Sequence, residues 1–456
     1  MTRRHLADRT SASAVPGEPV VNPHRPVDAT VRKLSGEHNP LRRALAVLGP
    51  GLVTGASDDD PSGIGTYAQA GAQFGYATLW ATIVMLPMMI SIQYISARIG
   101  LVTGRGLGGV LRRKYPRVVV YPAVAALVIA NTLNAGADVG AIAAAINLLL
   151  PVPAIVFIVP VSVGILALQA IGSYELIAKV FKWLALALLA YIGAALFAHP
   201  RVLDVLRGTL IPTIRLDSQY IGILVAVLGT TISPYLFFWQ ASQEVDEQIV
   251  MGRRRLWQRQ GASKRELGFA LWDTVAGMVF SEIVAFFIIL AAGATLFVHG
   301  ETHIISATEA AQALRPIAGD AAALLLAVGL IGAGVLAVPV LTASAAYGVA
   351  GALDWKQGLT RSIGRAPLFY LVIGAATLVG MGINFLGINP ITALVLSAVL
   401  NGLLAPPLLV LVMLVSNDRR VMGERTNGRL LNVMGWATTV AMGLAALALI
   451  VTTVAG

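Results

Sequence analysis

From Leu45 onward, apolar runs long enough to cross a bilayer follow one another, joined by short polar connections. About 20 apolar residues span a hydrocarbon core as a helix, and only helices or closed barrels satisfy every backbone group in lipid. Run by run, the chain predicts about eleven helices, roughly at 46–70, 75–97, 120–149, 153–171, 176–198, 219–243, 269–298, 320–351, 367–386, 388–415 and 430–454. The fold class is therefore an all-α polytopic membrane protein. Composition agrees: 57% of the 456 residues are hydrophobic and 12% charged, unlike any soluble domain of that length. With no cysteine, disulfides, thiolate metal sites, iron–sulfur clusters and cysteine nucleophiles are excluded.

The net charge of +10 could suggest nucleic acid, but its distribution points elsewhere. With the N-terminus in the cytoplasm, all but Arg201, Arg207, Arg215 and Arg315 of the 33 Lys and Arg fall on the inner side. That asymmetry is the positive-inside rule. The basic clusters read as topological determinants beside anionic lipid, and no nucleic-acid partner is expected. Residues 1–43 lack any apolar run and read as a disordered basic cytoplasmic tail rather than a signal peptide. Residues 44–456 form one transmembrane domain.

Asp58-Asp59-Asp60 sits inside the first apolar segment and runs into Pro61-Ser62-Gly63. A carboxylate at membrane depth costs on the order of 3 kcal/mol on insertion scales, so three together need a compensating partner. Proline and glycine beside them break the helix and free carbonyls that are tolerated only where they line a cavity. Carboxylates and bare carbonyls together suit a hard cation. An ordinary loop at a helix end is the plainer alternative, but the apolar flanks are too short to span separately. The sixth segment has the same defect at Gly229-Thr-Thr-Ile-Ser-Pro234. Five helices separate the breaks, so the second half enters inverted, and paired breaks in inverted halves point to a transporter site near the bilayer midplane.

Asp60-Pro61-Ser62-Gly63 with Gln69-Ala-Gly-Ala-Gln-Phe-Gly-Tyr76 resembles the first-helix signature of the Nramp family of divalent-metal transporters. So do Gln93-Tyr94 through Gly100-Leu-Val-Thr-Gly104, Ser173-Tyr-Glu175 and Asp418-Arg-Arg-Val-Met-Gly423, and the match runs from about Gly49 to Glu424. The resemblance implies a LeuT-type fold of two inverted five-helix repeats, about 44–198 and 219–415, with an extra helix at about 430–454. It also implies a cation site at Asp60, with Ser57 and Thr230 where the family offers backbone carbonyls. The proton-coupled members carry Asp-Pro-Gly-Asn and Met-Pro-His; here Gly63 replaces the asparagine, and Ser233-Pro234-Tyr235 replaces the second motif. Asp138 matches a family acid used in proton transfer, but Asn131 and Ala141 stand where two glutamates do, and Ala398 replaces a tenth-helix glutamine. These departures resemble the Nramp-related magnesium branch.

The ligand chemistry leads the same way. Oxygen ligands without sulfur or imidazole suit Mg, Ca or Mn, and magnesium keeps several waters, so it needs a roomy acidic site. Gly63 and Ser233 remove bulk, while Asp58 and Asp59 add negative potential. Tyr235, Glu282 and Asn401 join Asp138 as possible pathway residues; the last two could equally be interhelical hydrogen bonds. The expectation is a monomeric, non-enzymatic carrier of Mg2+ or Mn2+ in a bacterial plasma membrane, with weak or no proton coupling and no cofactor beyond the transported ion. The rivals are a proton-coupled Mn2+/Fe2+ member of the family and an organic amine or amino-acid transporter on the same fold. An intramembrane aspartyl protease lacks its Gly-x-Gly-Asp context here, and a nontransporting receptor stays open on sequence alone.

Overall fold

Pro61 and Pro234 decide where the bundle opens. Each stands at the first position of a helix, where its fixed φ and missing N–H cost nothing; each also disfavours continuing the helix before it. The computed structural model describes residues 50–171, 190–302, 304, 310–311, 319 and 322–455. The tail 1–43, the Ser173-Tyr-Glu175 motif, Lys179, Lys182 and Arg315 lie outside the described residues.

The first broken helix consists of α1 (Pro50–Asp58) and α2 (Pro61–Phe74). A 3-10 turn at Gly75–Thr78 leads into α3 (Leu79–Thr103), followed by α4 (Arg117–Leu149), α5 (Ile155–Ile171) and α6 (Ala190–Phe197). The second broken helix is α7 (Ser218–Thr231) with α8 (Pro234–Val250). Then come α9 (Lys264–Thr295), α10 (Ala322–Leu353), α11 (Pro367–Ile383), α12 (Pro390–Ser416) and α13 (Arg429–Ala455). Every regular element among the described residues is helical.

Among the described residues, eight continuous helical stretches are long and apolar enough to cross a membrane. The stretch Pro61–Thr103 has 43 residues, roughly twice what one crossing needs, because α2 and α3 run together through the 3-10 turn. The expected span at 153–171 is helical but short, and most of the span at 176–198 lies outside the described residues.

Packing puts the breaks in the middle. α9 lies along both α1 and α2, α12 along α7, and α4 runs between α10 and α12. Close approach is set by glycine where α7 meets α12: a Cβ on Gly229 would fall onto the Ala398 carbonyl and within 2.6 Å of Gly402 Cα. Polar side chains crowd inward around the breaks, while α13 turns Leu444, Leu447, Ile450 and Val451 outward. An exposed apolar stripe like that suits lipid and not water.

Candidate functional site

The two broken helices cross break to break and antiparallel. Beyond the first break, Tyr67 Oη of α2 lies 2.8 Å from Thr231 Oγ1 near the end of α7. Before it, the Ser57 carbonyl of α1 accepts the Tyr235 hydroxyl of α8 at 2.8 Å. Each half-helix thus meets the opposite half of its counterpart, as inverted repeats require.

Asp60 is the N-cap of α2. Its Oδ1 accepts from the Gly63 N–H at 2.6 Å and from Ser62 Oγ at 2.7 Å. Its Oδ2 accepts from Asn134 Nδ2 of α4 at 2.8 Å, and Asn134 Oδ1 accepts Ser397 Oγ of α12 at 2.7 Å. A carboxylate that caps a helix N-terminus sits where the dipole favours negative charge. Ser62 Oγ also lies 3.3 Å from Thr230 Oγ1, closing the gap between the breaks.

The three aspartates do not converge. Asp58 and Asp59 turn toward α9, where the Ser281 hydroxyl lies 2.5 Å from Asp58 Oδ2 and 3.2 Å from Asp59 Oδ1. The remaining oxygen of each is buried without a hydrogen-bond partner. Among the described residues, no three acidic or histidine side chains are grouped to hold a metal ion.

Gly63 faces that gap. A Cβ there would lie 3.1 Å from the Asp58 carbonyl, tighter than ordinary contact, and 3.4 Å from both Asp60 Oδ1 and Thr230 Oγ1, so three oxygens close around the glycine. Ser233 behaves differently from a ligand aimed at Asp60. Its hydroxyl turns back along its own chain and donates to the Gly229 and Thr230 carbonyls at 2.6 and 2.7 Å. The two carbonyls of interest, Ser57 and Thr230, are thus each held by a hydroxyl, from Tyr235 and Ser233.

Asp138 of α4 is fully buried, with no side-chain hydrogen-bond partner and the Ser62 backbone N–H as its nearest donor, and it is close enough to Asp60 to repel it. Asn131 is absorbed by structure, donating to the Leu341 carbonyl at 3.0 Å. Glu282 is 4% exposed, stands beside Ser281 and has neither oxygen bonded; Asn401 of α12 is buried with its amide unpartnered. Neither makes the interhelical hydrogen bond that was the alternative for it. Asp273 is buried too, and its Oδ2 accepts the Gly51 N–H at 2.6 Å, capping α1 from α9.

Sequence reasoning missed Asn134, Ser281 and Ser397. Asn134 carried a usable signal: it lies four residues before Asp138, and so on the same face of an otherwise apolar helix. Ser281 and Ser397 carried none, since a lone serine in a membrane helix ordinarily bonds its own backbone.

Two antiparallel discontinuous helices meeting at a polar centre inside an apolar helical bundle define a class, the multi-pass membrane transporters with a site between the breaks. Within that class, the chain belongs to the Nramp family: residues 51–452 match the model described as natural resistance-associated macrophage protein-like. It is 28% identical over 399 residues to the "Divalent metal cation transporter MntH" of Klebsiella pneumoniae subsp. pneumoniae, covering 86% of this chain and 91% of that one. A crystal structure of the Eremococcus coleocola manganese transporter superposes with TM-score 0.70 at 17% identity, over 91% of this chain and 88% of that one. MhsT in complex with L-phenylalanine superposes at TM-score 0.55 and 14% identity, over 89% of this chain and 98% of that one. The shared fold is the LeuT type.

Proposed function

We propose that the chain moves divalent metal cations across the membrane, taking Mg2+ or Mn2+ inward with little or no coupled proton flux. One observation carries this reading: the antiparallel breaks bring the Asp60 carboxylate, the Asp58 carbonyl and the Thr230 hydroxyl together around Gly63. Oxygen donors alone favour hard cations, and magnesium takes few direct protein ligands. The names of the curated relatives, divalent metal cation transporters, support the same substrate class.

The proposed ligands are the Asp60 carboxylate and the carbonyls of Ser57 and Thr230. Gly63 and Ser233 shape the space around them, and Asp58 and Asp59 supply negative potential from the α9 side. An arriving ion would take over the Ser57 and Thr230 carbonyls from Tyr235 and Ser233. Weak proton coupling is inferred from Asn131, Ala141 and Tyr235, none of which exchanges a proton near neutral pH. We place the protein as a monomer in a bacterial plasma membrane, tail 1–43 in the cytoplasm, with repeats of about 44–198 and 219–415 and an extra helix at about 430–454.

A second reading has one observation in its favour. Asp138 is buried near Asp60 with no side-chain partner, as a proton carrier beside a metal site would be. Uptake into proteoliposomes with Mg2+, Mn2+ and Ca2+ in competition, with lumenal pH recorded, separates the two. Saturable Mg2+ or Mn2+ uptake at constant lumenal pH is expected. Metal-dependent acidification near one proton per ion selects the proton-coupled reading, and absence of saturable uptake overturns both.

A further inference from the structure

Away from the breaks, three separate cytoplasmic connections bring their cations to one place. A cavity of about 190 Å3 is lined by Arg105 after α3, Arg259 from the short helix Leu256–Arg259, and Lys356 and Arg361 after α10. Its floor is the end of α8, with Ser242 and Asp246. The positive-inside rule puts basic residues on this side of the membrane, but it does not require residues from different loops to face one cavity.

No ion pair takes up the charge there, and Asp246 offsets only part of it, facing Arg259 and Arg361. Among the described residues the ion pairs are Arg112–Asp354, Lys114–Asp418 and Arg253–Glu266, and none includes Arg105, Arg259, Arg361 or Lys356. The lining holds two acids. Asp354 is paired with Arg112, and Asp246 Oδ2 is taken by the Tyr347 hydroxyl at 2.5 Å and the Leu359 N–H at 3.1 Å. Donors are left over: Arg105 Nε, Arg259 Nε and the hydroxyl of Ser242, which is 3% exposed, have no partner. Burial holds Arg105 below its ordinary value, with Arg113 and Arg259 adding to it. Burial lowers Arg259 as well, opposed by Asp246 and reinforced by Arg361.

We propose that this cavity binds a phosphate-bearing anion, held by Arg105, Arg259 and Arg361 and closed over by Lys356. Guanidinium forks match phosphate oxygens two at a time, which is why arginine dominates such sites. The volume lies below the ~300 Å3 at which drug-sized ligand pockets begin, so inorganic phosphate or a phospholipid headgroup fits and a whole nucleotide does not. Bound there, the anion would tie the connections after α3 and α10 to the cytoplasmic end of α8.

The test uses the full chain in detergent, with thermal unfolding followed as inorganic phosphate is titrated against chloride at matched ionic strength. A saturable rise in Tm with phosphate alone is expected. Arg259→Gln and Arg361→Gln should each weaken the apparent affinity by about tenfold, the scale of 1.4 kcal/mol, while Arg419→Gln leaves it unchanged. Lys356→Gln, at an exposed position, should weaken it too, which keeps the test decisive if an arginine variant misfolds. Repeating the titration in phosphatidylglycerol and phosphatidylcholine vesicles separates the sources. Loss of the phosphate response in phosphatidylglycerol alone assigns the cavity to a lipid headgroup, and an equal response in both assigns it to free phosphate. A response that chloride reproduces, or that persists undiminished in folded Arg259→Gln and Lys356→Gln, overturns the proposal.

Discussion

Asp60 divides its carboxylate among three protein donors, and the nearby Ser57 and Thr230 carbonyls are each held by a hydroxyl. Releasing one of those hydroxyls should change both stability and ion response. In Tyr235→Phe the Ser57 carbonyl loses its buried donor, a loss of about 1–3 kcal/mol. Without ion the variant should melt below wild type, and added Mg2+ or Mn2+ should raise its Tm by more than it raises wild type. An ion-induced shift no larger than wild type would remove Ser57 from the site. Ser233→Met frees the Thr230 and Gly229 carbonyls and brings a thioether to the break, a ligand that Cd2+ uses and Mg2+ does not. Paired with Gly63→Asn, it should move the Cd/Mg competition ratio toward Cd2+ by about tenfold, worth 1.4 kcal/mol. An unchanged ratio in a folded double variant would mean that neither position faces the ion.

At the scale of elements, the breaks were legible because proline and acidic residues inside an apolar run conflict with a continuous helix. The partners of the aspartates were not. Which of three consecutive carboxylates caps α2 and which turn toward α9 depends on how helices distant in sequence pack, and periodicity carries no such information. The place of Tyr67 is hidden for the same reason: tyrosines in membrane helices are enriched at the interfaces, yet this one is fully buried against Thr231. The glycine contacts that fix the packing can be tested directly. Gly229→Ala drives a methyl into the Ala398 carbonyl and should cost about 1–3 kcal/mol, the usual penalty of overpacking. Gly222→Ala, whose nearest neighbour would be Leu449 at 3.8 Å, should melt like wild type. A peripheral element carries a pH signature. Asp418 caps the short helix Arg419–Met422 and is held below the ordinary carboxylate range, first by the Arg420 N–H and then by Lys114. Its contribution is present above the ordinary carboxylate pKa and fades as pH falls through the lowered one. Asp418→Asn should therefore flatten the acid side of the stability profile, as thermal melts across pH would register.

For the whole molecule, inverted halves and a central site follow from two breaks at matching positions, and the family assignment rests on most of the chain. Coupling is a property at this scale, since a proton must cross the same barrier as the ion. With Asn131 spent on the Leu341 carbonyl and Ala141 inert, Asp138 is the one acid left at the relay positions, and Asp138→Asn should change metal uptake by less than about tenfold, the 1.4 kcal/mol scale. A complete loss of uptake in that variant would restore a proton-coupled cycle. The most direct test of transport through the breaks is initial-rate Mn2+ and Mg2+ uptake by monodisperse Asp60→Ala in liposomes, beside wild type and the milder Asp58→Ala and Asp59→Ala. Loss of saturable uptake in Asp60→Ala, with partial loss in the other two, is expected; wild-type uptake by folded Asp60→Ala would contradict a cation site at Asp60.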